Sequence, residues 1–332
     1  EMQRSLVGSE MCIRDRSVIY LQVYFGGSLF SVVYNMSAGI LNAVGNSRRS
    51  LVYLMIAAIS NIFLDLIMVV GLKLGIVGAA LATDISQLIS CIFIWGFLIR
   101  SEDVYKLKIK EIRCYDHLLS KIIRIGIPTG IQNIVISLSN LIVQASVNSF
   151  GATVMAGFAA YIKIDGFNIL PVLSISMAAT TFAGQNIGAG KADRVRKGMY
   201  ISTAMGAGYS VITGIALLIF APQVIGVFTT NHKVVEYGVY IMKYFCPFYW
   251  MLGILHVLGG TIRGTGKTMQ AMIVFLVSLC GFRVMWIAGT MAWAKSLGHV
   301  MMCYPTSWLL GMLLMILYVW KGNWMVLRTE KI

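Results

Sequence analysis

The 332-residue sequence is 58% hydrophobic and only 12% charged, and its formal net charge is +14. Soluble domains carry roughly a quarter charged residues, and a soluble core could not bury this much apolar surface. A bilayer accepts such a composition when each spanning segment satisfies its own backbone hydrogen bonds as a helix. The composition therefore predicts an all-α polytopic membrane protein and excludes a water-soluble fold.

The positive charge is distributed asymmetrically along the chain. Eighteen of the 27 Lys and Arg residues fall in one set of alternating loops. The opposite loops hold only Lys73, Lys233, Lys243 and Lys295. This positive-inside pattern predicts that the basic loops are cytoplasmic, so the charge reflects topology and not nucleic-acid binding. We expect a multi-pass protein of a bacterial-type inner (plasma) membrane.

In chain order, residues 1–16 are charged and aperiodic, and we interpret them as a non-native leader outside the fold. Nine apolar spans follow, at 18–42, 51–71, 76–99, 122–148, 153–180, 199–221, 236–262, 269–292 and 300–320. The basic stretch 101–121 predicts a cytoplasmic linker. It separates a partial first lobe of three helices, 17–100, from a second lobe of six helices, 122–325.

A weak internal repeat supports a two-lobe plan. The first span ends in GILNAVGNS, at 39–47, and the seventh ends in GTIRGTGKT, at 260–268. If these positions are equivalent in two parallel lobes, the first lobe lacks three helices and the chain is an N-terminally truncated fragment. The second copy is not a phosphate-binding loop, because the glycine required five residues before Gly266 is Thr261.

The second and third spans carry a candidate cation-coupling cluster. Asn61 and Asp65 lie four residues apart on one helix face, and Thr83 returns at the same depth, roughly 13 Å from the turn near Leu74. A carboxylate inside a bilayer normally faces protein or water, so these oxygens could bind Na⁺ or a proton. A structural hydrogen bond between packed helices is the alternative. Asp84 points about 100° away and is the second choice.

The fourth span predicts a substrate cavity. A stripe of polar side chains runs along one face: Asn133, Ser137, Asn140, Gln144 and Asn148. A stripe facing lipid would be costly, so it lines either a helix contact or an aqueous path. Uncharged amides suit a cavity that handles varied solutes.

The fifth span adds Tyr161 and Asp165 to the candidate cavity, because both share a face with Asn168. Arg283, alone in the eighth span, is a possible partner of Asp165. Such a buried ion pair could fix packing, or Asp165 could act on a proton or substrate. His256 has no neighbouring ligand residue and is interpreted as a packing histidine.

The sequence indicates neither an enzyme nor a cofactor protein. No cluster of His, acidic or Ser/Lys residues has catalytic spacing within one span. The six cysteines show no CxxC pair and predict lone thiols. We therefore expect no cofactor and no bound metal, apart from possible Na⁺ at Asn61, Asp65 and Thr83.

Several stretches together resemble the multidrug and toxic compound extrusion (MATE) transporter family, over about residues 18–325. They are YNMSAGILNAVGNSRR, SNIFLDLIMV followed by GIVGAALATDISQ, RIGIPTGIQ, and FAGQNIGAGKADRVRKG. The resemblance implies twelve helices in two six-helix lobes. It further implies antiport, in which organic and often cationic compounds leave the cell in exchange for Na⁺ or H⁺. By this resemblance the chain begins at the family's fourth helix.

The resemblance also bears on the coupling site. One prokaryotic branch uses an aspartate on the first helix with an Asn, an Asp and a Thr on the fifth and sixth. Asn61, Asp65 and Thr83 match the last three. Another branch has an acidic residue in the second lobe's first helix, where this chain has none between Ile122 and Asn148. That departure argues against coupling in the second lobe, although Asp165 leaves it open.

We expect a monomer in the lipid bilayer with small organic substrates. The alternative within the same superfamily is a flippase for lipid-linked oligosaccharide or polysaccharide. A pyrophosphate substrate requires several inward cations, and the spans offer only Lys163 and Arg283. A purely structural role is a further alternative if the fragment is all that is made.

Overall fold

A computed structural model describes residues 2–103, 105–113, 115–293, 296–322 and 324–325, with side chains from Asp15 onward. Within these residues the regular secondary structure is all helical, with no strand. Nine helical segments among them are long and apolar enough to cross a membrane. The nine predicted spans are thereby confirmed in number and in order.

The chain divides into two compact units, 1–113 and 114–332, so the boundary falls inside the predicted linker 101–121. Unit 1 contains three long helices. They are α1 (Met2–Ala43), α2 (Ser47–Asp65), which continues as a π-helical segment (Leu66–Gly71), and α3 (Gly75–Arg100). Most of the predicted leader 1–16 lies in α1. Glu1 and the side chains before Asp15 fall outside the described residues, so the leader assignment stays a prediction.

Unit 2 contains the remaining helices. They are α4 (Asp116–Asn148), α5 (Ala152–Gly188), α6 (Ala192–Ile219), α7 (Ala221–Gly226), α8 (His232–Phe245), α9 (Tyr249–Gly264), α10 (Thr268–Phe275), α11 (Phe282–Trp293), α12 (Leu297–Met301) and α13 (Cys303–Trp320). A second π-helical segment, Leu276–Gly281, joins α10 to α11. Several helices extend past their predicted ends, because a backbone helix continues into water after its apolar stretch has crossed the bilayer.

Side chain to backbone hydrogen bonds hold the helices of unit 1 together. The Tyr34 hydroxyl donates to the Ser50 carbonyl at 3.1 Å, and the Ser90 hydroxyl donates to the Tyr53 carbonyl at 2.8 Å. These bonds join α1 to α2 and α2 to α3. Such bonds stabilise helix pairs in lipid, where apolar burial alone provides little drive to associate.

The span from His232 to Gly264 is central to unit 2, and 67% of its most apolar part is buried. Its second half, α9, lies so close to α5 that a Cβ at Gly260 or Gly264 would collide with α5 backbone. The Ser176 and Thr180 hydroxyls of α5 donate to the carbonyls of His256 and Gly260, at 2.6 and 2.9 Å. Small residues therefore allow the two helices to bond directly.

Both halves of the internal repeat form the same turn. Gly45 and Gly266 have positive φ values of 85° and 83°. In each turn the glycine N–H bonds three residues back, and the next N–H bonds five residues back. This is the Schellman helix end, which favours glycine at its left-handed position. Gly190 forms a third copy, with φ 69°, that the repeat comparison did not include.

We predict that Gly266→Ala lowers stability by about 1 kcal/mol, because an L-residue is strained at positive φ. Apart from its chain neighbours, no heavy atom lies within 4 Å of the position its Cβ would take, so the expected loss comes from backbone strain. Gly208→Ala is the matched control: its Cβ also meets open space, but Gly208 lies inside helix α6, where alanine is favoured. Thermal unfolding in detergent should show a lower Tm for the first variant only. Equal Tm values would contradict the strain argument.

Candidate functional site

The predicted coupling residues of α2 contain unsatisfied polar atoms. Asn61 and Asp65 are half-buried and lie one helical turn apart. Asn61 Nδ2 and Asp65 Oδ1 are buried, and neither has a hydrogen-bond partner among the described residues. An unsatisfied buried polar atom costs about 1–3 kcal/mol and so calls for an explanation. Binding of a proton or a cation would satisfy Asp65 Oδ1, whereas Asn61 Nδ2 is a donor and needs an acceptor.

The third predicted residue, Thr83, is half-buried on α3 and donates its hydroxyl hydrogen to the Ala79 carbonyl at 3.0 Å. Its oxygen therefore remains available only as an acceptor. No hydrogen bond within the described part of the chain joins Thr83 to Asn61 or Asp65. The interhelical hydrogen bond considered as the structural alternative is thus not formed by these three side chains.

The helix changes its hydrogen bonding directly after Asp65. The π-helical segment Leu66–Gly71 begins there, and the Leu72 N–H bonds to the Ile67 carbonyl at 2.8 Å. Across the turn, a Cβ at Gly78 would lie 3.1 Å from the Met68 carbonyl, so α3 packs closely on this segment. π-Helical turns are rare and occur frequently at functional sites. No sequence pattern predicted this one.

In unit 2 the polar stripe of α4 lies on an exposed face. Asn133, Ser137, Asn140 and Asn148 are exposed, and Gln144 is half-buried. Gln144 Nε2 donates to Asn148 Oδ1 at 3.0 Å. An adjacent face of α4, about 100° around the helix from the stripe, packs inward, and there the Ser139 hydroxyl donates to the Leu279 carbonyl at 2.7 Å. The stripe is therefore accessible on unit 2, as a cavity wall would be.

Tyr161 and Asp165 belong to an internal hydrogen-bond chain of unit 2. The Tyr161 hydroxyl is 3.2 Å from Asp165 Oδ1 and 2.9 Å from the Tyr249 hydroxyl. Either tyrosine hydroxyl could donate in the bond between them, and Tyr249 is also hydrogen bonded to Asp165. Tyr161 is only 3% exposed, and its ring packs on Phe245 at 4.7 Å between centroids. It therefore positions Asp165 from the interior and is not itself an open cavity wall.

Arg283 is a buried cation, 3% exposed, and its bonds go to neutral groups. Its Nε donates to Ser307 Oγ at 2.9 Å, and its Nη1 donates to Asn140 Oδ1 at 3.1 Å. The guanidinium also lies over the Tyr304 ring at 4.3 Å. Among the described residues the one salt bridge is Lys108–Glu111, so Arg283 and Asp165 do not form the direct pair considered above.

His256 packs edge-on against Phe275, with ring centroids 5.3 Å apart, as expected of a packing histidine. The nearby Arg263 donates from Nη2 to Ser176 Oγ at 3.3 Å. The residues that resemble a phosphate-binding loop form the C-terminal end of α9 and the Gly266 turn. Neither feature assembles a catalytic group.

Sequence reasoning ranked Asp84 second, but it is the more deeply buried carboxylate of unit 1. Asp84 is 9% exposed on α3, and its carboxyl group occupies the space that a Cβ at Gly27 of α1 would need. A signal was present in the sequence: the paired glycines Gly26 and Gly27 permit close approach of a neighbouring helix. That signal could not identify which neighbour would approach.

Taken together, apolar helical spans with polar groups buried inside them define an all-α polytopic membrane protein. A family model described as MatE matches residues 128–288. The chain is 29% identical over 315 residues to "Probable multidrug resistance protein YpnP" of Bacillus subtilis (strain 168), covering 94% of this chain and 70% of that protein. It is 29% identical over 269 residues to "Probable multidrug resistance protein NorM" of Thermotoga maritima, covering 78% and 57%.

A solved structure described as "Outward-facing conformation of a multidrug resistance MATE family transporter of the MOP superfamily" shares the fold. Its TM-score is 0.85 at 20% identity, covering 94% of this chain and 70% of that one. The chain is thus similar to MATE proteins in sequence and in fold. Members of this family are transporters and not enzymes. The chain thus spans between 57% and 70% of the relatives compared here.

We predict that Tyr161→Phe lowers the stability of unit 2 by about 1–3 kcal/mol, because it leaves buried polar groups without their partner. Tyr304→Phe is the control from the same cluster. Its ring lies over Arg283, and its hydroxyl has no hydrogen bond among the described residues. Thermal unfolding in detergent should separate the two variants. A Tm of Tyr161→Phe equal to that of Tyr304→Phe would show that the network adds nothing.

Proposed function

We propose that the chain acts in a secondary active antiporter, which exports drugs or other organic, often cationic, compounds in exchange for H⁺ or Na⁺. The names of the curated relatives, multidrug resistance and export proteins, support the substrate class. The cargo and the coupling ion are both small species that cross the bilayer through the protein, and the antiporter needs no cofactor. The chain acts in the plasma membrane as a monomer, with its basic loops in the cytoplasm.

The observation that carries the coupling assignment is the unsatisfied pair Asn61 and Asp65. A carboxylate inside a bilayer costs about 2.5–3.5 kcal/mol on insertion scales, so its charge is normally compensated. No Lys or Arg lies in α2 after Arg49, and α3 has none before Arg100. A proton or Na⁺ at Asp65 would supply the missing positive charge, and the Thr83 oxygen offers a further acceptor.

Binding at Asp65 drives transport only through a difference between states. A proton or cation shifts the inward–outward equilibrium by no more than its differential affinity for the two states. A π-helical segment follows Asp65 directly. A π turn and an α turn differ in which carbonyl each N–H bonds, so the two are distinct states of the same segment. Ion occupancy at Asp65 could therefore change the hydrogen bonding of Leu66–Gly71.

The exposed polar side chains of α4 offer the substrate an uncharged surface on unit 2. Asn133, Ser137 and Asn140 can each donate and accept hydrogen bonds, so they suit solutes of varied shape. Asp165 adds one negative charge that the Tyr161 hydroxyl orients. This combination supports organic cations as cargo.

The flippase alternative receives less support. A pyrophosphate requires several cations in one place. Arg283 already uses Nε and Nη1 on Ser307 and Asn140, whereas the exposed Lys163 lies over the Phe228 ring at 5.5 Å. The two cations that this alternative needs thus make separate sets of contacts.

We predict that Asp65→Asn slows coupled transport, because the amide keeps the shape but can neither bind a proton nor attract Na⁺. The chain is reconstituted into liposomes with an imposed H⁺ or Na⁺ gradient, and uptake of a fluorescent organic cation is measured. The rate should fall by about tenfold or more, which corresponds to roughly 1.4 kcal/mol. Glu236→Gln, an exposed carboxylate on α8, is the control and should transport normally. Unchanged coupling in Asp65→Asn would remove this assignment.

A further inference from the structure

A second carboxylate of unit 1 lies apart from the proposed coupling pair. Asp84 is the tenth residue of α3, so it lies about 14 Å along the helix from Gly75. It is 9% exposed and contacts α1 at Gly27, whereas Asp65 belongs to α2. Asp84 is thus deep in the spanning region and on a different helix pair.

The side chain of Asp84 lines a cavity of about 280 Å³ between α1 and α3. Beside the pair Gly26 and Gly27, the walls are apolar or aromatic: Val23, Phe30, Leu81, Ile85 and Leu88. The cavity is not enclosed and opens to the outside of unit 1. It is large enough for one small organic molecule.

Nothing nearby satisfies the carboxylate. Within the described residues Asp84 has no hydrogen bond and no salt bridge. Its polar neighbours on α3 are already engaged, since the Thr83 and Ser86 hydroxyls donate to backbone carbonyls of their own helix. Neither 17–43 of α1 nor 75–99 of α3 contains Lys or Arg. An ionised carboxylate here therefore requires a positive charge from outside these two helices.

The walls of the cavity decide which cation fits. Hard metal cations bind through several oxygen ligands, and the lining offers no oxygen-bearing side chain other than Asp84. An alkylammonium or arylammonium ion carries its charge inside an apolar body. Such an ion would pair with Asp84, contact the aliphatic walls, and present its methyl groups to the Phe30 ring by a cation–π interaction.

We propose that Asp84, with the cavity around it, is a binding site for a free monovalent organic cation of the substituted-ammonium class. Its role as a cargo site rests on the proposed export function, but binding itself does not depend on coupling at Asp65. Gly27 is part of the site, because only glycine leaves room for the carboxyl group at the α1 surface.

The test measures equilibrium binding of benzyltrimethylammonium to the purified chain in phosphatidylglycerol nanodiscs. We expect saturable binding, and binding about tenfold weaker in Asp84→Asn, because the amide keeps the volume and loses the charge. Neopentylbenzene, the uncharged analogue of the same shape, should not distinguish the two proteins. Glu236→Gln, which alters an exposed carboxylate on α8, should bind the cation like the unaltered chain.

A second pair of variants tests the geometry without removing the charge. Gly27→Ala puts a Cβ where the Asp84 carboxyl group lies, so we expect cation binding to weaken severalfold. Gly39→Ala on the same helix meets open space and should bind normally. The thermal unfolding of each variant is recorded alongside, so that a loss of fold is distinguished from a loss of the site.

Three results would overturn the proposal. They are an absence of cation binding to the unaltered chain, equal binding by Asp84→Asn, and loss of binding when the nanodiscs contain phosphatidylcholine. The last result would assign the cavity to a lipid headgroup, whose choline carries the same ammonium chemistry. None of these results bears on coupling at Asp65, because the binding measurements use no ion gradient, whereas the liposome assay measures gradient-driven uptake.

Discussion

Helices in a bilayer must be held together without help from the hydrophobic effect, since lipid tails are as apolar as leucine. In unit 2 the contact of α9 with α5 meets this requirement: Gly260 lets the backbones touch, and Ser176 and Thr180 bond across the interface. The polar network depends on it. Tyr249 lies at the start of the same helix α9 and reaches Tyr161 on α5 only because the two helices are held at this distance.

The two units treat their buried charges differently. In unit 2 the charged groups have partners: Asp165 accepts from Tyr161, and Arg283 donates to two neutral oxygens. A satisfied buried network rigidifies the helices that form it. In unit 1, neither Asp65 Oδ1 nor the Asp84 carboxylate has a hydrogen bond among the described residues. Charge supplied from outside the protein would matter most there, which is why both ligand proposals fall in unit 1.

Much of the fold could be predicted from the sequence because the bilayer restricts the length and the composition of a helix that spans it. Its thickness fixes the length of each apolar run, and all nine runs became spans. The ends were predicted less well: α5 continues to Gly188, because uncharged polar residues such as Gln185 and Asn186 end the apolar pattern and not the helix. Of the candidate site, the 100° periodicity placed the α4 stripe on one face, and the structure leaves Asn133 and Ser137 exposed there.

The sequence by itself determined the number of spans, the glycine turns at Gly45 and Gly266, and the face on which each polar residue lies. Only the tertiary structure decided which groups meet, such as Arg283 with Asn140 of a helix 143 residues away, or Asp84 with Gly27. The physical reason is that periodicity belongs to one helix. Contact between two helices also depends on their relative rotation and depth, which close-packed small residues set.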